Sequence, residues 1–168
     1  MTSTGGGQDV AEDPDAEYRA WVDRVRSTYE AVSYTCAHRL RDPSLAAQVA
    51  VQVVAGLIAR PMVFRYFGLP YSGRIATLAE ARIADADEGA LTLAGDWLLL
   101  YAQLGDLPTE HRTVFVGVCV NGEDIAALAN RLGCDESAAE LRRTSTLTFM
   151  RDLASTALPG TFEAPREE

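Results

Sequence analysis

Apolar residues recur every third or fourth position through most of this chain. Tyr18, Trp21, Val22, Val25, Tyr29, Val32 and Cys36 mark one face of a long helix. "RDP" at Arg41–Pro43 breaks it, because proline restricts the residue before it and donates no backbone hydrogen bond. "SLAAQVAVQVVAGLIA" then predicts a second helix, with Ser44 as its N-cap and Pro61 beyond its end. That segment is apolar nearly all the way round, so it belongs at the centre of its bundle. "RIATLAEARIADA" predicts a third helix, and the acidic "DADEG" of Asp85–Gly89 reads as a linker.

The second half opens with the apolar helix "LTLAGDWLLLYAQL". Pro108 marks another helix start, and Val114, Phe115 and Val118 share a face. "TVFVGVCV" has strand-like composition, but no partner run at hairpin spacing stands near it, so helix is expected. "EDIAALANRLG" predicts a short helix capped by Asp124 and closed by Gly133. Asp135 caps a last helix reaching about Leu153. The expectation is an all-α protein of two small helical bundles, the second containing a helix-turn-helix. Residues 1–16 and 158–168 are expected as tails, with domains at 17–88 and 89–157. The short linker allows either a closed or a splayed pair.

Composition narrows the function classes. The chain has 168 residues and a formal net charge of −9. Its basic residues are all arginine. Acidity opposes phosphate binding, although charge can be sorted locally. Cys36, Cys119 and Cys134 form no CxxC pair, and His38 and His111 are not spaced with them as ligands, so neither a metal nor a cofactor is expected. The thiols read as buried and reduced. No nucleophile–base–orienter set is evident, so an enzyme is not expected. The start of the chain lacks a basic, then apolar signal, and no apolar run suits a bilayer, so a cytoplasmic protein without membrane contact is expected.

Two segments carry a family resemblance. "LGDLPTEHRTVF…NG……LANRLGCDES" is similar to the promoter-reading domain of extracytoplasmic-function sigma factors, in its Leu-Pro-x-x-x-Arg opening, Gly turn, small Ala129 and Leu132–Gly133. "AHRLRDPSLAAQVAVQVV" resembles the polymerase-binding helix of the same family. The resemblance covers most of residues 17–155 and implies a transcription factor that meets RNA polymerase and promoter DNA.

The departures all run one way. Gln48, Val49 and Val53 stand where the resemblance implies Glu, Asp and Glu, while Gln52 keeps its place one turn from Gln48. Valines there imply burial or a more apolar partner. Between Leu107 and Ala157, five arginines against seven carboxylates leave about −2, an unfavourable sign for DNA affinity. Ser137, Glu140, Arg142, Arg143, Thr144 and Ser145 are the candidate DNA-reading residues. Gln48, Val49, Gln52, Val53, Phe64, Tyr66, Phe67, Leu147 and Phe149 are the candidate partner-binding residues. The aromatic set could stack on unpaired bases, plug a bundle end or meet a partner. The leading expectation is an atypical sigma-like regulator acting mainly through protein contacts, with RNA polymerase or another regulator as partner and homodimerisation as a variant. A conventional promoter-recognising sigma factor is the alternative.

Overall fold

In the computed structural model, residues 13–62, 73–91 and 95–157 are described, and among them the structure is helical without strands. The helices are α1 (Pro14–Leu40), α2 (Pro43–Ala59), α3 (Gly73–Asp87), α4 (Trp97–Gly105), α5 (Thr109–Phe115), α6 (Ile125–Leu132) and α7 (Glu136–Ser155). A π-helical turn over Val116–Val120 extends α5. It closes with Asn121 N–H donating to the Val116 carbonyl at 2.9 Å. All-α is therefore the observed class, and "TVFVGVCV" is helical.

Helix ends follow the expected chemistry with two corrections. α1 begins at Pro14 under an Asp13 cap, so the last residues assigned to the N-terminal tail are helical. Asp42 rather than Ser44 caps α2, accepting from Ser44 and Leu45 N–H at 3.0 and 3.3 Å. The reason is Pro43, which suits the first helical position and so places the capping role one residue earlier. Arg41 absorbs the break between α1 and α2 in a left-handed conformation, φ 58°.

The α1 face that the periodicity selects is buried from Tyr18 to Cys36, except that Tyr29 is half-buried and its neighbour Thr28 is buried instead. α2 is buried on nearly every side, because α1, α3 and α7 all pack on it. That is what a helix apolar all round requires. α3 ends at Asp87, with Gly89 at φ 71° turning the chain just beyond it, where the linker was expected, and "DADEG" is mostly the helix's own last turn.

The two halves are closed on one another and share one core. Phe115 of α5 packs edge-on against Trp21 and Tyr18 of α1, with centroids 4.6 and 5.8 Å away. Such aromatic pairs add about 0.5–1.5 kcal/mol each beyond their burial. Trp97 of α4 stacks on Tyr29 of α1 at 4.2 Å and 6°. Gly95 lies so close to α2 and the end of α7 that a Cβ there would stand 2.7 Å from Val51 Cγ1 and 2.9 Å from the Ala157 carbonyl.

Arg112 is the polar counterpart of this packing. Its guanidinium pairs with Asp15, donates to the Leu107 and Gly105 carbonyls at 2.8 and 2.6 Å, and lies 5.1 Å from the Tyr18 ring centre. The Tyr18 hydroxyl donates to the Leu104 carbonyl at 2.8 Å. One arginine thus holds the start of α1, the end of α4 and the start of α5 together.

Candidate functional site

The last two helices form a tight helix–link–helix unit. Asp124 caps α6 by accepting from Ala127 N–H at 2.8 Å, and Asp135 caps α7 from Ala138 N–H at 2.8 Å. Gly133 makes the turn with φ 72°, a conformation that glycine adopts without a Cβ penalty. Buried Leu128, Ala129 and Ala139 lie in the interface, and two of the three are small enough to let the helices approach. Arg131 braces the unit from outside. It donates to Glu123 Oε2 at 2.8 Å and to the Thr113 carbonyl at 3.0 Å, directly over Gly117 of the π-helical turn. A side chain at Gly117 would displace that ion pair.

On α7, Ser137, Glu140, Arg142, Thr144 and Ser145 are exposed, so the candidate reading residues do share the outer surface. Arg143 is half-buried and donates to both carboxylate oxygens of Glu140 at 2.9 Å. Its charge is thereby offset. Leu141, 70 % exposed, sits in the middle of this polar face. Arg142 and Ser145 line a cavity of about 270 Å³ between α5 and α7 with Glu110, His111, Val114 and Thr146. His111 Nδ1 lies 2.8 Å from the Thr146 hydroxyl, and the imidazole leans on Phe149 at 4.6 Å.

The candidate partner residues divide. Val49, Gln52 and Val53 are 0, 4 and 1 % exposed, which removes them as a docking face in this arrangement. The physical reason is that α1, α3 and α7 all pack on α2 and leave it no free face. Gln48 is half-buried and engaged within the chain: Nε2 donates to the Gly95 carbonyl at 2.7 Å, and Oε1 accepts from Gly95 N–H at 3.3 Å. Leu147 is half-buried and packs on the core. Phe149 is 38 % exposed and opens onto a groove of about 410 Å³ between α4 and α7, shared with Gln103, Asp106, Asp152 and Leu153. Phe64, Tyr66 and Phe67 lie outside the described residues.

Sequence reasoning missed Leu98 and Leu99, 74 and 52 % exposed on α4. The signal was present: "WLLLY" puts five apolar residues in succession on a helix, more than one buried stripe can accommodate. It also missed the tie made by Arg112, which entered only as part of a motif.

Among the described residues, three titratable groups are shifted upward by burial. Burial pushes the Tyr18 hydroxyl well above the usual tyrosine range, against the pull of Arg112. Burial raises the Cys36 thiol to about 11, with Arg39 lowering it and Glu80 raising it. Tyr29 is raised by burial, then by Asp96 and Glu30. Cys36 and Cys119 are buried, but Cys134 is only partly so, which corrects the reading of three buried thiols. Among the described residues no cluster of three His, Cys, Asp or Glu side chains could hold a metal, and no helix is long and apolar enough to cross a membrane.

The geometry defines an all-helical protein with a capped helix–link–helix unit and apolar grooves beside its last helix. Compared with protein-family models, curated proteins and solved structures, the chain matches none.

Proposed function

We propose that this protein is a transcription regulator with a sigma-like order of helices, acting mainly through contacts with another protein and at most weakly on DNA. RNA polymerase or another regulator is the partner class. The observation that carries the reading is the charge state of α7. Glu140 holds Arg143, and the remaining Arg142 and Arg151 share the helix with exposed Glu136 and Asp152. Non-specific DNA affinity rests on phosphates met by unpaired cations, and each phosphate left unmet lowers the salt slope by about 0.9. A helix with this balance has little grip on duplex DNA alone at physiological salt.

Apolar surface supports protein contact instead. Leu98, Leu99, Leu141 and Phe149 are exposed on α4 and α7, the pair of helices that flanks the Phe149 groove. Burial of α2 argues against the polymerase contact that the family resemblance implies for that helix, so the partner surface is assigned to α4 and α7. A second reading, direct promoter contact, is favoured by the exposure of Ser137, Arg142, Thr144 and Ser145 on one helix.

The test is a mobility-shift titration with random and promoter DNA over a salt range, run beside co-sedimentation with purified RNA polymerase. Salt-sensitive, weak shifts with polymerase association are the expected result. Tight unaided duplex binding near physiological salt would refute the proposal in favour of the second reading.

A further inference from the structure

Two cavities lie beside α7, one toward α5 and one toward α4. From one to the other, Arg142, Ser145, Phe149, Asp152 and Leu153 follow helical spacing. From Arg142 to Leu153 that is a length of about 16 Å at helical rise, three turns of a partner helix. The His111–Phe149 ring contact lies between the two cavities.

The two cavities differ electrostatically. At the α5 end Glu110 and Arg142 carry opposite signs and offset one another. At the α4 end Asp106 and Asp152 both line the groove, both are exposed, and neither takes part in an ion pair among the described residues. Between them lie the exposed part of Phe149 and the edge of Leu153. Leu99, one turn before Gln103 on α4, extends the apolar stripe. An apolar floor flanked by two carboxylates complements an amphipathic helix with basic flanks. A second copy of this chain, with its net charge of −9 and its own carboxylates, suits that rim poorly.

We propose that the α4–α7 groove receives a basic amphipathic helix of the partner protein, with apolar side chains on Phe149 and Leu153 and lysine or arginine against Asp106 and Asp152. This rests on the protein-contact reading above and names its site and its chemistry.

The experiment uses the full chain and a fluorescein-labelled helical peptide of leucine and lysine at i, i+3, i+4 and i+7 spacing, with a glutamate-for-lysine counterpart as control. Anisotropy titrations are expected to show binding of the lysine peptide only. Phe149→Ala should weaken it at least about tenfold, as removal of a central aromatic anchor does. Asp106→Asn with Asp152→Asn should weaken it about threefold to tenfold, the range for two rim charges. Glu136→Gln with Glu140→Gln makes the same change in net charge away from the groove and should alter binding less than about twofold. Equal losses in the two charge variants would overturn the proposal by showing general attraction to an acidic protein. So would indifference to Phe149→Ala, or equal binding of the glutamate peptide. Sedimentation that finds a dimer abolished by Phe149→Ala would also overturn it, assigning the groove to a second copy. Failure of polymerase association with intact peptide binding sinks the regulator reading alone, whereas the reverse pattern sinks this site.

Discussion

Replacing Arg112 by alanine tests how the two halves are held. The substitution removes an ion pair to Asp15, two hydrogen bonds to backbone carbonyls and a cation over the Tyr18 ring. The parts differ in weight. Asp15 keeps 39 % side-chain exposure, so its pair with Arg112 contributes about 0.2–1 kcal/mol. The carbonyl of exposed Gly105 regains water once the guanidinium has gone, and little is lost there. Leu107 is 2 % exposed, so its carbonyl is stranded at a cost of about 1–3 kcal/mol. The cation over Tyr18 contributes about 0.5–1 kcal/mol more. Allowing for non-additivity, Arg112→Ala should destabilise the protein by about 2–4 kcal/mol, read as a lower urea midpoint at unchanged m-value by far-UV circular dichroism. Arg112→Lys keeps the charge without the planar fork and should recover less than half of the loss. A loss under about 1 kcal/mol for Arg112→Ala would refute the idea that this residue ties the halves.

Four further perturbations probe other parts of the molecule. Gly95→Ala drives a methyl group into Val51 and the Ala157 carbonyl, and should cost about 1–3 kcal/mol in the same denaturation assay. Val53→Glu introduces a charge at a position 1 % exposed and should cost more than about 4 kcal/mol or split the halves, which small-angle scattering would register as a larger radius of gyration. Burial raises Cys36 from 9.0 to about 11, so the unfolded chain ionises first; its contribution to stability is full below pH 9 and is lost as pH rises to 11, while Cys36→Ser should flatten that part of the profile. Glu140→Gln releases Arg143 and should steepen the salt dependence of low-salt DNA binding by up to about one unit, measured by mobility shift.

Local chemistry was legible in the sequence where it is local in cause. The α1 stripe, the Asp124 and Asp135 caps and the Gly133 turn depend on residues within a few positions of one another, and each is found where spacing put it. Ser44 misled because two capping residues flank one proline, and the proline's own preference decided between them. The relation between the halves was not legible. Trp97 on Tyr29, Phe115 on Trp21 and Gln48 on Gly95 join residues about 50 to 90 positions apart, and no helical period encodes such pairs. For the same reason the candidate face on α2 was only half legible. Valine at 49 and 53 fits burial and an apolar partner equally well, and only the packing of α1, α3 and α7 around α2 decides for burial.

That burial accounts for the uncharged side chains at positions 49 and 53. Acidic residues at positions 48, 49 and 53 would suit an α2 that meets a partner across water. At the buried positions 49 and 53 a carboxylate would cost several kcal/mol of desolvation unless paired, and the neighbouring core residues Ala50, Val54 and Leu57 offer no cation. Valine at both positions avoids that cost. Once α7 is packed on α2, its inner side is committed to the core through Thr146, Met150 and Leu153, and only its outer side and the groove beside α4 remain for a partner. The burial of α2 and the position of the exposed apolar surface on α4 and α7 are therefore linked. A chain with acids at 49 and 53 would have to give up the closed core to expose them.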